Sequence, residues 1–121
     1  TLHLSSAASD VYKRQEYAAN LEKLVIRMKK TGSRLIFATT TPVPKDEAGR
    51  KVGDDIRYNE AAIAVMHKHG VSVNDLHAVM ANRMAQFAIR PGNVHFTPEG
   101  STILARKVSE VIRSALKKES K

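Results

Sequence analysis

The sequence predicts the C-terminal portion of a doubly wound α/β domain. Three observations carry that expectation. Segments with helical apolar spacing alternate with short apolar runs that do not alternate with polar residues, the pattern of strands covered on both faces. Each run ends in a polar loop, where ligands sit in open parallel sheets. Only two runs are present, too few for a free-standing sheet, so the expectation is the tail of a larger domain.

The 121 residues suffice for one domain with a real core. Hydrophobic residues are 42% and charged residues 26%, the ordinary globular range. The absence of cysteine excludes disulfides and thiolate metal sites. No run has the length of a membrane span. The formal charge of +8 admits an anionic partner. The cations are spread over polar helix faces, however, and aromatic residues are only 5%, so stacking platforms for bases are lacking and no nucleic-acid partner is expected.

Residues 1–15 show no useful periodicity and are expected to be disordered. The peptide from Ser5 to Gln15, Ser-Ser-Ala-Ala-Ser-Asp-Val-Tyr-Lys-Arg-Gln, resembles the translation of a common transposon-based sequencing-library adapter, with every residue fitting one frame. It is therefore set aside as a non-native leader, and residues 16–121 are expected to be the C-terminal fragment of a domain.

From Glu16 to Lys30, Tyr17, Leu21, Leu24, Val25 and Met28 recur at helical spacing, and Gly32 suits a left-handed cap. Leu35-Ile36-Phe37-Ala38 forms the first strand run. Thr39-Thr40-Thr41-Pro42-Val43-Pro44 follows, its prolines ending regular pairing. The threonine hydroxyls either line a pocket or cap local turns, the commoner use of such residues. Lys45 to Gly53 is a polar loop. Asp54 or Asp55 can cap a helix running to about Lys68, with Ile56, Ala62, Ile63, Val65 and Met66 on its apolar side. Tyr58-Asn59 in its first turns are expected to face the threonine loop. His67 and His69 lie two apart, not at the spacing of a helical metal pair, and read as surface histidines.

Val71-Ser72-Val73 is the second strand run. Asp75 is placed to cap a helix from Leu76 to about Met84. The stretch from Asn82 to Gly92 reads as irregular. Asn93-Val94-His95-Phe96-Thr97-Pro98-Glu99-Gly100 then joins a histidine, a sharp loop and a helix start. Thr97 can cap, Pro98 suits the first turn, and Glu99 complements the dipole of a helix to Leu116. His95 just outside that helix is the candidate acid–base group.

In this order, Thr40-Thr41-Pro42-Val43-Pro44, Tyr58-Asn59, Asn74-Asp75-Leu76 and Asn93 to Gly100 resemble the C-terminal half of an SGNH hydrolase, the GDSL-type lipase and esterase superfamily. The resemblance spans about residues 16–118. It implies a three-layer α/β/α (flavodoxin-like) sandwich with a parallel sheet. It implies hydrolysis of acetyl or acyl esters on small molecules, carbohydrates or lipids, with no metal or other cofactor. The family's serine nucleophile lies in a Gly-Asp-Ser block, and no such block occurs in this sequence. His95 matches the family's general base, and Thr40, Thr41 and Pro42 would sit at the substrate pocket. Where the family has an aspartate three residues before the histidine, this chain has Gly92. The chain alone is therefore expected to be inactive. The alternative is a non-catalytic binding module, either a degenerate SGNH domain or a basic nucleic-acid binder.

Overall fold

The computed structural model describes residues 6–45 and 50–119. The elements run α1 (Ser6–Lys29), β1 (Ile36–Ala38), α2 (Asp54–Lys68), β2 (Ser72–Asn74), α3 (Leu76–Met80), α4 (Met84–Phe87) and α5 (Pro98–Glu119). The two strands pair in a parallel sheet. The α/β alternation is therefore present; the three-layer sandwich remains the finer expectation. The chain divides into two compact units. One holds Ile56–Val73 and everything up to Phe37, and the other holds Ala38–Asp55 and everything from Asn74.

In the first unit, α1 begins ten residues before the expected helix start. The disorder expected over 1–15 is thus corrected for residues 6–15, while residues 1–5 lie outside the described residues. No glycine or proline interrupts the chain between Ser5 and Thr31, and Ala7 and Ala8 are strong helix formers, so propagation meets no barrier. Gly32 ends the helix with φ +79°, as its cap position predicts.

The apolar face of α1 that enters the core is Ala18, Leu21 and Val25. Leu24 and Met28, on the expected stripe, are 55% and 44% exposed. Val25 packs with Val65 and Met66 of α2 and with Val71, and Leu35, Phe37 and Val73 close around them. Residues i, i+3 and i+7 of α1 therefore meet the apolar side of α2, from which Ile56 is left out at 50% exposure. The first strand, expected to be covered on both faces within a larger parallel sheet, is partly covered here. Ile36 and Phe37 are half-buried and Ala38 is exposed.

Polar contacts set the register of α1 against α2. Lys68 Nζ donates to Glu22 at 3.0 Å, and His69 Nε2 stands 3.6 Å from the same carboxylate. Lys29 Nζ donates to the carbonyl of His69 at the end of α2. His69 is thus half-buried against α1 rather than a free surface residue, whereas His67 is exposed. The Lys68 hydrogen bond, more than any other contact, lowers the Glu22 pKa. Tyr58 turns toward α1 and not, as expected, toward the threonine loop. Its ring meets Tyr17 edge-on at 5.1 Å.

In the second unit, α3 packs against α5 and Met80 is fully buried. The stretch from Asn82 is less irregular than its sequence suggests, because Met84–Phe87 forms one helical turn. Its end is fixed from α5. The N–H of Thr97 donates to Phe87 O at 2.8 Å. Gly100 lies against the same residue, so that a Cβ there would sit 2.9 Å from Phe87 Cβ and 3.2 Å from both Phe87 O and Phe96 Cβ. Thr97 caps α5 as predicted, accepting from the N–H of Gly100 at 3.2 Å.

Two predictions follow from this packing. Gly100→Ala should destabilise the chain by about 1–3 kcal/mol, since the clashing atoms are backbone or next to it; a midpoint unchanged in urea denaturation would contradict the close approach. Burial, and then the Tyr58 phenol, raise the Tyr17 pKa above 10.0. The folded chain thus holds that proton more tightly than the unfolded chain, and stability should fall as pH rises through the phenol range. Denaturation series at about pH 8 and pH 10.5 should show a loss that is smaller in Tyr17→Phe.

Candidate functional site

The site begins where β1 ends. Thr39 is buried, and its N–H donates to Asn74 O at 3.0 Å, extending the strand pairing by one step. Its hydroxyl donates to Asp75 Oδ1 at 3.0 Å and accepts from the N–H of His77 at 3.0 Å. Asp75 Oδ1 also accepts from Ala78 N–H at 3.1 Å, making it the N-cap of α3. The capping role read from the sequence is the one observed.

The loop after Thr39 is held from the side. Between Pro42 and Pro44 the only backbone donor is the N–H of Val43, and it reaches Asp55 Oδ2 at 3.2 Å. The same oxygen lies 2.9 Å from His77 Nε2. Asp55 does not cap α2 with this oxygen. It is a buried carboxylate, its side chain 5% exposed, that joins the proline loop to α3. A buried carboxylate is tolerated only when hydrogen-bonded, and here the Val43 N–H and the His77 ring both stand within hydrogen-bond distance of it. Of the predicted pocket residues, Pro42 is buried, Thr41 half-buried and Thr40 exposed. The amide oxygen of buried Asn74 has no partner among the described residues, which leaves acceptor capacity at the end of β2.

His95 sits on a second loop, folded back on itself. Ala88 and Phe96 form an antiparallel bridge, and Ile89 N–H donates to His95 O at 3.0 Å. Gly92 turns the chain at φ +74°. An aspartate at this left-handed position would carry strain of about 1 kcal/mol, so the local backbone accounts for glycine where the resembling family has a carboxylate. Asn93 does not take over that role, because its Oδ1 accepts from the backbone N–H of His95 at 2.8 Å. Asp75 is committed to α3 and Thr39. Among the described residues the exposed His95 ring therefore has no hydrogen-bond or ion-pair partner.

Beside this loop lies a cavity of about 460 Å³, within the size range of small-ligand sites. Met84, Ala88 and Ile89 give it apolar walls, Gly92 and Pro44 border it, and among the described residues Arg90 is its one charged lining residue. The proline loop thus contributes Pro44 rather than Thr40, Thr41 or Pro42. Sequence reasoning missed the Asp55–His77 pair. Asp55 reads as a helix cap, and nothing in its spacing of 22 from His77 signals a contact.

The geometry defines a class: an α/β chain with polar side chains gathered beyond the strand ends and a histidine exposed on a loop before the last helix. No family model matches the sequence. It is similar to a GDSL esterase/lipase of Arabidopsis thaliana, 27% identical over 84% of this chain and 50% of that protein. The chain thus spans about half the length of that relative. The similarity suggests a relation to the GDSL family.

Replacing Asp55 by Ala should strand both the His77 ring and the Val43 N–H, at about 1–3 kcal/mol. In a double-mutant cycle with His77→Ala the two losses should fall short of additive by at least about 0.5 kcal/mol. Strict additivity in thermal denaturation would show that the pair is not coupled.

Proposed function

We propose that this chain is the C-terminal part of a GDSL-type ester hydrolase of the SGNH class, and that His95 is its general base. The substrate would be a carboxylic ester of a small molecule, carbohydrate or lipid. The observation that carries the reading is the exposed His95 ring, on a backbone locked by the bridge to Ala88 and by the Asn93 side chain. The similarity over 84% of the chain agrees with it. A ring so placed can accept the proton of an attacking hydroxyl and return it to the leaving alcohol. The hydroxyl would come from a Gly-Asp-Ser serine, which this sequence does not contain. Residues 1–15 would be a non-native leader. Thr40, Thr41 and Pro42 would border the substrate, and the neighbouring apolar cavity would take its acyl group. Without a carboxylate to stabilise the imidazolium, His95 would work less efficiently than an aspartate-paired base.

The chain by itself should neither react with a serine-directed phosphonate nor hydrolyse a chromogenic acetyl ester. The natural reading frame upstream of Glu16, expressed whole, should do both, and His95→Ala in that protein should lower turnover by about 10²–10⁴-fold. Full turnover in the His95→Ala protein would overturn the assignment of the base. Phosphonate labelling of the present chain would overturn the placement of the nucleophile outside it. A whole protein without hydrolase activity would favour a degenerate binding module.

A further inference from the structure

We infer that the groove between α3 and α5 is a binding site for a phosphate-monoester dianion. The groove is an open one of about 420 Å³ and is separate from the cavity beside the His95 loop, with which it shares no lining residue. From α5 it receives Ile103, Arg106, Lys107 and Glu110, the positions i, i+3, i+4 and i+7 of one helix face. From the other side come Val79 of α3 and Arg83, which follows it. Arg83 is held there by its backbone. Its N–H donates to Met80 O at 3.0 Å, and its carbonyl accepts from Gln86 and Phe87.

The charge balance selects the ligand. Three cations face one carboxylate, leaving a net charge of +2 on the lining. Among the described residues none of the three is drawn into an ion pair. Unpaired cations gathered on one groove repel one another, and a bound anion relieves that repulsion. A phosphate monoester carries about −1.5 to −2 charges at neutral pH and three acceptor oxygens, which match two guanidinium forks and an ammonium. A nucleic acid fits less well. Its recognition needs a continuous basic track or aromatic stacking, and this groove is short and has no aromatic lining residue. Val79 and Ile103 supply an apolar floor for the carbon portion of the ester. Inorganic phosphate, a phosphorylated small molecule and a phosphatidic acid headgroup share this chemistry.

The test uses the full chain and backbone-amide NMR. Titration with inorganic phosphate and with glycerol phosphate at constant ionic strength should move the amides of Val79, Arg83, Ile103 and Arg106 along saturable curves. Arg83→Gln with Arg106→Gln should weaken binding about tenfold or more. Glu110→Gln should tighten it, and Lys117→Gln with Lys118→Gln, which removes the same charge away from the groove, should leave it unchanged. Unaltered spectra away from the substituted sites will show that each variant folds. Co-sedimentation with phosphatidic acid vesicles but not phosphatidylcholine vesicles would identify the headgroup as the source, and binding of glycerol phosphate without sedimentation would identify a soluble ester. Shifts that are unsaturable, that sodium chloride reproduces, or that the Lys117/Lys118 variant abolishes equally would overturn the site. Tighter binding of random duplex than of either phosphate would replace the ligand class with nucleic acid.

Discussion

The second unit depends on one continuous run of hydrogen bonds. Asp75 accepts from the Thr39 hydroxyl, Thr39 accepts from the His77 backbone, the His77 ring reaches Asp55, and Asp55 accepts from Val43. Each member answers a local need. The first turn of α3 has unpaired N–H groups, which Asp75 and Thr39 satisfy. The segment from Pro42 to Pro44 has a single backbone donor, and without Asp55 it would be left unmet in a partly buried loop. Because the members are linked, the run fixes the proline loop against the first turns of two helices. Pro44, and with it one wall of the cavity beside the His95 loop, is thereby held by a carboxylate on another element. Buried networks of this kind rigidify when fully satisfied.

The helical stretches were legible because their periodicity has a single cause, the burial of one face. Ala62, Val65 and Met66 lie on the side of α2 that the spacing marked, and Thr97 and Gly32 act as their residue types suggest. Periodicity fails where it must rank positions within a stripe. Leu24 and Val25 look alike in sequence, yet only Val25 points at α2. It also cannot see contacts between elements. Tyr58 was expected to face a loop and instead meets Tyr17, and Asp55 looked like a cap and is instead a bridge. The placement of His95 before the last helix was legible because a proline, a threonine cap and a glycine surround it. The occupation of Asn93 by a backbone donor and the bond from the Thr39 hydroxyl to Asp75 were not, since they follow from distances no spacing encodes.

The two histidines of this region divide into opposite roles. His77 is bound at 2.9 Å to a buried carboxylate and serves to join elements. That bond engages Nε2 and is the contact by which His77 ties α3 to the carboxylate that holds the proline loop. His95 has its backbone fixed, and among the described residues its ring has no hydrogen-bond or ion-pair partner.

Sterics explain how the His95 ring comes to be presented in this way. Gly92 permits the left-handed turn that reverses the chain, and Gly100 lets the start of α5 lie directly on Phe87 and Phe96. Between these two positions the bridge at Ala88 and the Thr97 bond to Phe87 leave the backbone little freedom. His95 lies on the outer side of that clamp, so its exposure follows from backbone packing. The position three residues earlier is the one that turns through φ +74°, where a side chain would cost about 1 kcal/mol. Glycine therefore suits the turn, and the backbone that carries His95 is held on both sides of the histidine.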